Sequence, residues 1–120
     1  MATFTKLSLS GSTNGRAILV TATATPGTTI HATDTSATML DEIWIYAHNS
    51  DNASVSLTIQ FGGTTAPNDS ITLTVPSKAG LTLVIPGLIL SGTGAAANTV
   101  RAFAGTGNVI TISGYVHRIA

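Results

Sequence analysis

The sequence predicts an all-β fold: an antiparallel β-sandwich of roughly eight or nine short strands without a substantial helix, with a jelly roll as one form it could take. Apolar and polar residues alternate over short runs, and turn-forming residues recur about every ten positions. β-branched residues are abundant, and no window of helical length shows a 3.6-residue period. We expect residues 1–120 to form one sandwich domain, with residues 1–10 as either a strand or an arm contacting a neighbour.

The first quarter of the chain predicts three strands separated by two turns. Residues 3–10 alternate as a strand does, and Asn14-Gly15 is a strong signal for the positive φ angles of a tight hairpin. A second strand follows over residues 16–22. Pro26-Gly27 predicts the next turn, since Pro has a fixed φ and Gly tolerates a positive one. Residues 29–32 are predicted to form a short third strand.

The stretch 40–61 is the most informative part of the chain, because two apolar runs flank a turn at residues 49–52. This pattern predicts a β-hairpin. The second run is half buried, with Val55, Leu57, Ile59 and Phe61 on one face and Ser54, Ser56, Thr58 and Gln60 on the other. The first run is apolar on both faces, with Ile43, Ile45 and Ala47 opposite Trp44, Tyr46 and His48. It should therefore be covered on both, between two layers or at a subunit contact.

The remaining strands follow the same reasoning. Residues 70–75 alternate cleanly. Residues 81–85 form another strand that Pro86-Gly87 should close, because proline cannot donate to a ladder. A short apolar run at 88–90 precedes a loop of small residues, and two final strands cover residues 99–104 and 109–119.

Composition excludes several classes of function. Only 8% of the residues are charged, against about 25% in typical domains, and the net charge is zero. The five cations are scattered, so we expect no nucleic-acid partner. No apolar run approaches the roughly 18 residues of a membrane span, and the N-terminus lacks the apolar core of a secretion signal. The absence of cysteine excludes disulfides and thiol chemistry, and suits synthesis in a reducing cytoplasm.

The polar residues do not predict an active site, so we expect no enzyme. His31 with Asp34 and Ser36, and His48 with Asp51, lack a nucleophile motif. His31, His48 and His117 lack ligand-like spacing. The five carboxylates single out no catalytic pair: Asp34, Asp41, Glu42, Asp51 and Asp69. Three of them, Asp34, Asp51 and Asp69, lie in predicted turns and are better explained as turn caps. We expect no catalytic, metal-binding or cofactor-binding residue.

Trp44, Tyr46 and His48 are the candidate interface residues. An aromatic β face either stacks on sugars or fills a core or an interface. Because the chain has few aromatic residues, burial in a core or at an interface is favoured over a sugar-binding platform. A surface with little charge also suits a protein that lies packed against neighbours.

Three segments, at residues 28–32, 41–49 and 57–65, together with the ending 109–119, resemble small virion proteins of tailed bacteriophages. The resemblance covers most of the chain and implies a non-enzymatic capsid decoration (cement) protein on the outside of the virion. It implies two partners, the major capsid protein and further copies of the chain, with a homotrimer as the expected oligomer. The alternatives are a tail, neck or fibre component of the virion, and a carbohydrate-binding module.

Overall fold

The computed structural model describes residues 2–120 and confirms the all-β prediction. This part of the chain folds into nine strands and contains no helix. Their bounds are β1 (Phe4–Ser8), β2 (Ile18–Leu19), β3 (Thr28–Ala32), β4 (Leu40–Asn49), β5 (Val55–Phe61), β6 (Ser70–Val75), β7 (Thr82–Ser91), β8 (Thr99–Ala104) and β9 (Ile110–Ile119).

The strands form two antiparallel sheets that pack face to face. Sheet A has the order β1-β9-β4-β7, with the two-residue β2 also paired to β9, and sheet B has the order β3-β8-β5-β6. When β2 is left out and the eight remaining strands are renumbered, the two orders are 1-8-3-6 and 2-7-4-5. This is the strand order of a jelly roll, the two-sheet architecture with two Greek keys.

The jelly roll explains why the predicted hairpin across residues 49–52 is wrong. β4 lies in sheet A between β9 and β7, whereas β5 lies in sheet B between β8 and β6. The turn therefore carries the chain from one sheet to the other. The buried side chain of Asn49 holds it there: its amide donates to the carbonyls of Ala53 and Val75, and its oxygen accepts from the Asp51 backbone N–H. Among the described strands, the one consecutive pair that forms a hairpin is β5–β6.

The inward faces of both sheets form one core, as the alternation in the sequence predicts. β4 contributes Ile43, Ile45 and Ala47, each with no exposed area, and β5 contributes Val55, Leu57 and Ile59. This apolar burial is the main stabilising contribution to the fold.

β7 continues through Pro86-Gly87, so the predicted strand end at this position is wrong. β7 is the edge strand of sheet A, and a missing N–H is tolerated where no neighbour needs it. Gly87, at φ 82°, is the extra residue of a β-bulge, since Ile43 pairs with Leu88 and Trp44 with Pro86. The predicted strands 81–85 and 88–90 are thus one strand.

The turn at residues 13–16 has the predicted local geometry, with φ of 55° at Asn14 and 82° at Gly15. The strands on either side do not pair with each other. β1 pairs with the end of β9 through Phe4 and Ile119, and β2 pairs with its beginning through Ile18 and Ile112. Strand β1 thus lies within the sheet of its own chain.

Gln60 is the one residue on the predicted polar face of β5 that is buried, at 2% exposure. The Pro26-Gly27 turn folds over sheet B and contacts it. Gln60 Oε1 accepts from the Gly27 N–H at 2.8 Å, and Gln60 Nε2 donates to Thr25 Oγ1 at 2.8 Å. This turn, which is distant in sequence, therefore buries Gln60, although strand alternation alone would place that residue in solvent.

Candidate functional site

The outward face of sheet B is an ordinary solvated surface. Register and alternation place mainly hydroxyl side chains there: Thr29, Ser56, Thr58, Ser70, Thr72 and Thr74. Arg101 and Phe103 of β8 are its two larger members, and Arg101 donates to Thr29 Oγ1 at 2.9 Å. In antiparallel sandwiches such a polar outer face is the usual arrangement.

The outward face of sheet A is largely apolar and aromatic. Cross-strand register places these side chains on it: Phe4, Leu19, Leu40, Trp44, Tyr46, Leu83, Pro86, Ile89, Tyr115 and Ile119. Four of them are among the exposed large hydrophobic residues, and Phe4 is 74% exposed. Extended apolar surface of this kind on a single chain marks an interaction site.

Trp44 and Tyr115 form the centre of this face. They pair across β4 and β9, and their rings stack at 6.1 Å between centroids and 13° between planes. The Trp44 Nε1–H donates to Glu42 Oε1 at 2.8 Å, which fixes the indole. On the other neighbouring strand, Gly87 lies so close to the indole that an added Cβ would be 2.9 Å from Cζ2. The aromatic pair is therefore held in one orientation before any partner binds.

Charged and polar groups surround the two rings. Lys6 Nζ lies 5.3 Å from the Tyr115 ring centroid, within the range of a cation–π contact. The His117 ring centroid is 5.4 Å from that of Tyr115, and His117 Nδ1 is 3.5 Å from Glu42 Oε1. We call Lys6, Glu42, Trp44, Tyr115 and His117 the aromatic patch. Aromatic rings together with a few polar groups are typical of protein–protein interface centres.

The structure brings the three predicted interface residues onto this face. Trp44, Tyr46 and His48 alternate along β4, and all three are half-buried. His48 Nδ1 donates to the Gly80 carbonyl at 3.1 Å, which ties the strand to the loop before β7. Within residues 2–120 no further layer covers their face, so the expectation that β4 is covered on both faces is not met inside one chain.

A second polar cluster, which is not among the predicted site residues, is buried between the sheets. Asp41 of β4 has no exposed area, and it accepts two hydrogen bonds from Arg118 of β9, at 2.7 and 2.9 Å. Its Oδ2 also lies 2.7 Å from Nε2 of the buried His31 on β3. Because the Ser10 backbone N–H donates to His31 Nδ1, the ring proton is on Nε2 and is donated to Asp41. His31, Asp41 and Arg118 thus link the two sheets.

This cluster is structural, because every buried side-chain polar atom among the described residues has a hydrogen-bond partner. Burial on its own would raise the pKa of the Asp41 carboxyl, but hydrogen bonds from Arg118 and His31 outweigh it and hold the pKa below its ordinary value. The hydrogen bond to Asp41 in turn raises the pKa of Arg118. The carboxylate and the guanidinium therefore remain charged at neutral pH.

The lowered pKa of Asp41 predicts acid sensitivity. A carboxyl with a lower pKa in the folded state stabilises the fold above its unfolded pKa of about 4, and this contribution is lost as the pH falls through the folded pKa. Urea unfolding as a function of pH should show a smaller decrease below about pH 4 for Asp41→Asn than for the wild type. Equal slopes for the two proteins would contradict the role given to Asp41.

The other candidate residues lie apart from one another. Asp34, Asp51 and Asp69 accept backbone N–H groups of Ser36, Asn52 and Thr65, which confirms their predicted role as turn caps. His31 contacts Asp41 and not Asp34, and His48 contacts the Gly80 carbonyl. Over residues 2–120 no group of three or more His, Cys, Asp or Glu side chains is placed to hold a metal ion.

An open depression beside β2 also lacks the groups needed for acid–base chemistry. It is lined by Gly11, Thr13, Arg16, Ala17, Ile18 and Leu19. None of these lining residues is a carboxylate or an imidazole, so the depression offers no nucleophile with an adjacent base.

No protein-family model matches the chain, and no curated protein matches it. In the described part of the chain there is no helix long and apolar enough to cross a membrane.

Proposed function

We propose that this chain is a structural virion protein of a tailed bacteriophage, which binds the outside of the capsid through the outward face of sheet A. The observation that carries the proposal is the contrast between the two outer faces. Sheet B presents mainly hydroxyl groups, whereas sheet A presents the aromatic patch among exposed apolar residues. A chain with one such face is suited to binding another surface on one side and facing solvent on the other.

Three further observations support this role. The jelly roll is an architecture found in viral capsid and lectin domains, although a shared fold alone does not assign a function. The sequence segments 28–32, 41–49, 57–65 and 109–119 resemble small virion proteins of tailed phages. Low charge with zero net charge allows many copies to lie close together without strong repulsion.

The mechanism is bridging without catalysis. Each copy adds contact area between neighbouring major capsid protein subunits, and repetition over the shell multiplies a modest affinity. The preset stack of Trp44 on Tyr115 lowers the entropy lost on binding, because those side chains are already ordered. We further propose that the chain acts as a homotrimer on the virion exterior after synthesis in the host cytoplasm.

Trp44→Ala should weaken binding to the capsid at least about tenfold, because aromatic anchors at the centre of an interface carry much of the binding energy. The assay uses capsids of the encoding phage from which this protein has been deleted, with co-sedimentation of added purified protein. Phe103→Ala is the matched control, since it removes a half-buried aromatic ring from the outward face of sheet B.

The proposal predicts that the wild type and Phe103→Ala co-sediment with the capsids and that Trp44→Ala does not at the same concentration. Loss of capsid binding in both variants would contradict the proposal that the outward face of sheet A alone makes the contact. If the wild type fails to bind the capsids but is found along the tail, the chain is a tail, neck or fibre component.

A carbohydrate-binding role is the second candidate, because Trp44 is half-exposed rather than buried. The ring has less free surface than a sugar platform needs, since Tyr115 stacks beside it and Gly87 contacts it. A glycan array with the wild type and Trp44→Ala distinguishes the two roles. Binding of the wild type that is lost in Trp44→Ala would favour the sugar-binding role.

A further inference from the structure

Exposed aliphatic side chains form a stripe along β7, the free edge strand of sheet A. Among residues 2–120, four of the six exposed large hydrophobic residues lie on β7 or directly before it: Leu81 at 63%, Leu83 at 47%, Leu88 at 42% and Ile89 at 54%. We call these four residues the β7 stripe. It contains no charged residue, and none occurs between Leu81 and Ser91.

The stripe wraps around the edge of the sandwich. Leu83 pairs with Tyr46 and Ile89 with Glu42, which places both on the outward face of sheet A. Leu88 pairs with the buried Ile43, so it projects on the inner side of the strand and is exposed at the open margin. A partner must therefore approach β7 from the side of the molecule.

The backbone of this edge is unsuited to adding a continuous strand. Pro86 has no N–H, and bulges interrupt the pairing around Gly87 and again between Ile45 and Tyr46. Such features are the usual protection of an edge against open-ended association, whereas the charges that usually accompany them are absent. The contact that fits this edge is a closed one, made by side chains.

We propose that the β7 stripe is the contact between copies of this chain. Contacts between identical subunits are more apolar than contacts with occasional partners, and the β7 stripe is wholly aliphatic. The aromatic patch differs, since it includes Lys6, Glu42 and His117 among its rings. With zero net charge, approaching copies do not repel each other.

The side of the molecule is large enough for a stable contact. β7 has ten residues, and a strand of this length spans about 33 Å. The smallest dimension of the molecule is 21 Å. The whole flank, with this length and width, offers roughly 700 Å² and sets the upper bound on the contact, against the approximately 800 Å² that each partner contributes to a standard interface.

This inference rests on the proposed assembly role, and it names the surface that would build the proposed trimer. Three β7 edges that converge on a threefold axis would cover each stripe and leave the aromatic patch free for the capsid. The aromatic patch lies on β1, β4 and β9 and shares no residue with the β7 stripe, so variants of each can be measured separately.

The test is the mass of the full-length chain in solution, measured by sedimentation velocity and light scattering. The wild type should have a mass that is a multiple of 12.1 kDa, with three copies expected. The double variant Leu83→Glu/Ile89→Glu should associate more than about tenfold more weakly, because like charges would meet in the contact. Both positions are exposed, so far-UV circular dichroism should match that of the wild type.

Thr72→Glu/Thr74→Glu is the matched control, since it adds the same two charges at exposed positions of β6 on the outward face of sheet B. It should keep the wild-type mass. A wild type that is monomeric at every concentration, or a β7 variant with the wild-type mass, overturns the inference. If the wild type has the mass of two copies and the β7 variant the mass of one, the β7 contact is supported and the trimer is overturned. Capsid binding by a monomeric wild type would overturn the β7 contact and leave the proposed decoration role standing.

Discussion

Asp41→Ala should lower the free energy of unfolding by roughly 3 kcal/mol or more, because it leaves the other groups of a buried network without their partner. His31 would keep an unpaired Nε2–H in a position that is 1% exposed. Arg118 would lose both hydrogen bonds to the carboxylate, although its side chain is 24% exposed and can reach water. The measurement is urea unfolding at neutral pH, monitored by circular dichroism.

Asp51→Ala is the matched control for this change. The Asp51 carboxylate caps a turn through the Asn52 N–H, so its loss should cost about 1 kcal/mol or less. If Asp41→Ala does not fold, Asp41→Asn provides the comparison, since it keeps a carbonyl oxygen that can accept from Arg118. An effect of Asp41→Ala no larger than that of Asp51→Ala would show that the network does not hold the sheets together.

Gly114→Ala should destabilise the fold by roughly 2–4 kcal/mol, because β4 and β9 approach too closely at this position for a side chain. A Cβ added to Gly114 would overlap the carbonyl oxygen of Trp44 and lie 3.2 Å from Ile45 Cα. The two strands would have to separate, and Tyr115 would move relative to Trp44. Urea unfolding measures the loss, and Trp44 fluorescence reports the disturbed aromatic patch, since the chain has one tryptophan.

Gly80→Ala separates this packing effect from backbone strain. Gly80 has φ of 76° and no atom within 4 Å of an added Cβ, so its replacement introduces strain alone, about 1 kcal/mol. It should also leave Trp44 fluorescence unchanged. Equal losses of stability in the two variants would contradict the close approach of β4 and β9.

Strand positions could be predicted from the sequence because they depend on local alternation. Residues 70–75 and 99–104 are strands with the predicted bounds, and residues 40–49 form the predicted central strand. The side-chain period of two residues fixes both the strand and its buried face, and turn residues fix its ends.

Strand pairing could not be predicted in the same way, because it depends on contacts far apart in sequence. The segment at residues 49–52 turns the chain as its Asn, Ser and Asp residues predict, but these residues carry no information on which sheet β5 joins. Likewise, a proline would end a strand in the middle of a sheet, but Pro86 is tolerated because β7 is an edge strand. Whether a strand lies at an edge depends on the pairing of the whole sheet.

The buried network was predictable in part. Asp41 lies two residues before Ile43, on the same face as the core residues Ile43, Ile45 and Ala47. A carboxylate on a buried face needs a cationic or hydrogen-bonding partner, so the alternation itself indicates one. Its partners His31 and Arg118 come from other strands, and only the jelly-roll pairing brings them together.

The candidate interface was predicted as three residues of one strand, Trp44, Tyr46 and His48. The structure extends it across the sheet to Tyr115, His117 and Lys6. The sequence alone does not indicate these residues, because β9 and β1 are distant in sequence from β4. Only the pairing of the three strands places their side chains beside Trp44.

The proposed role of the sheet A face is tested most directly by cryo-electron microscopy of intact phage particles, which the proposed virion role predicts to contain this chain. The expected result is repeated density for the sandwich on the outside of the shell, with Trp44 and Tyr115 against the capsid subunits and the hydroxyl-lined face of sheet B towards solvent. Particles that lack the chain, or that hold it with sheet B against the shell, would contradict this assignment.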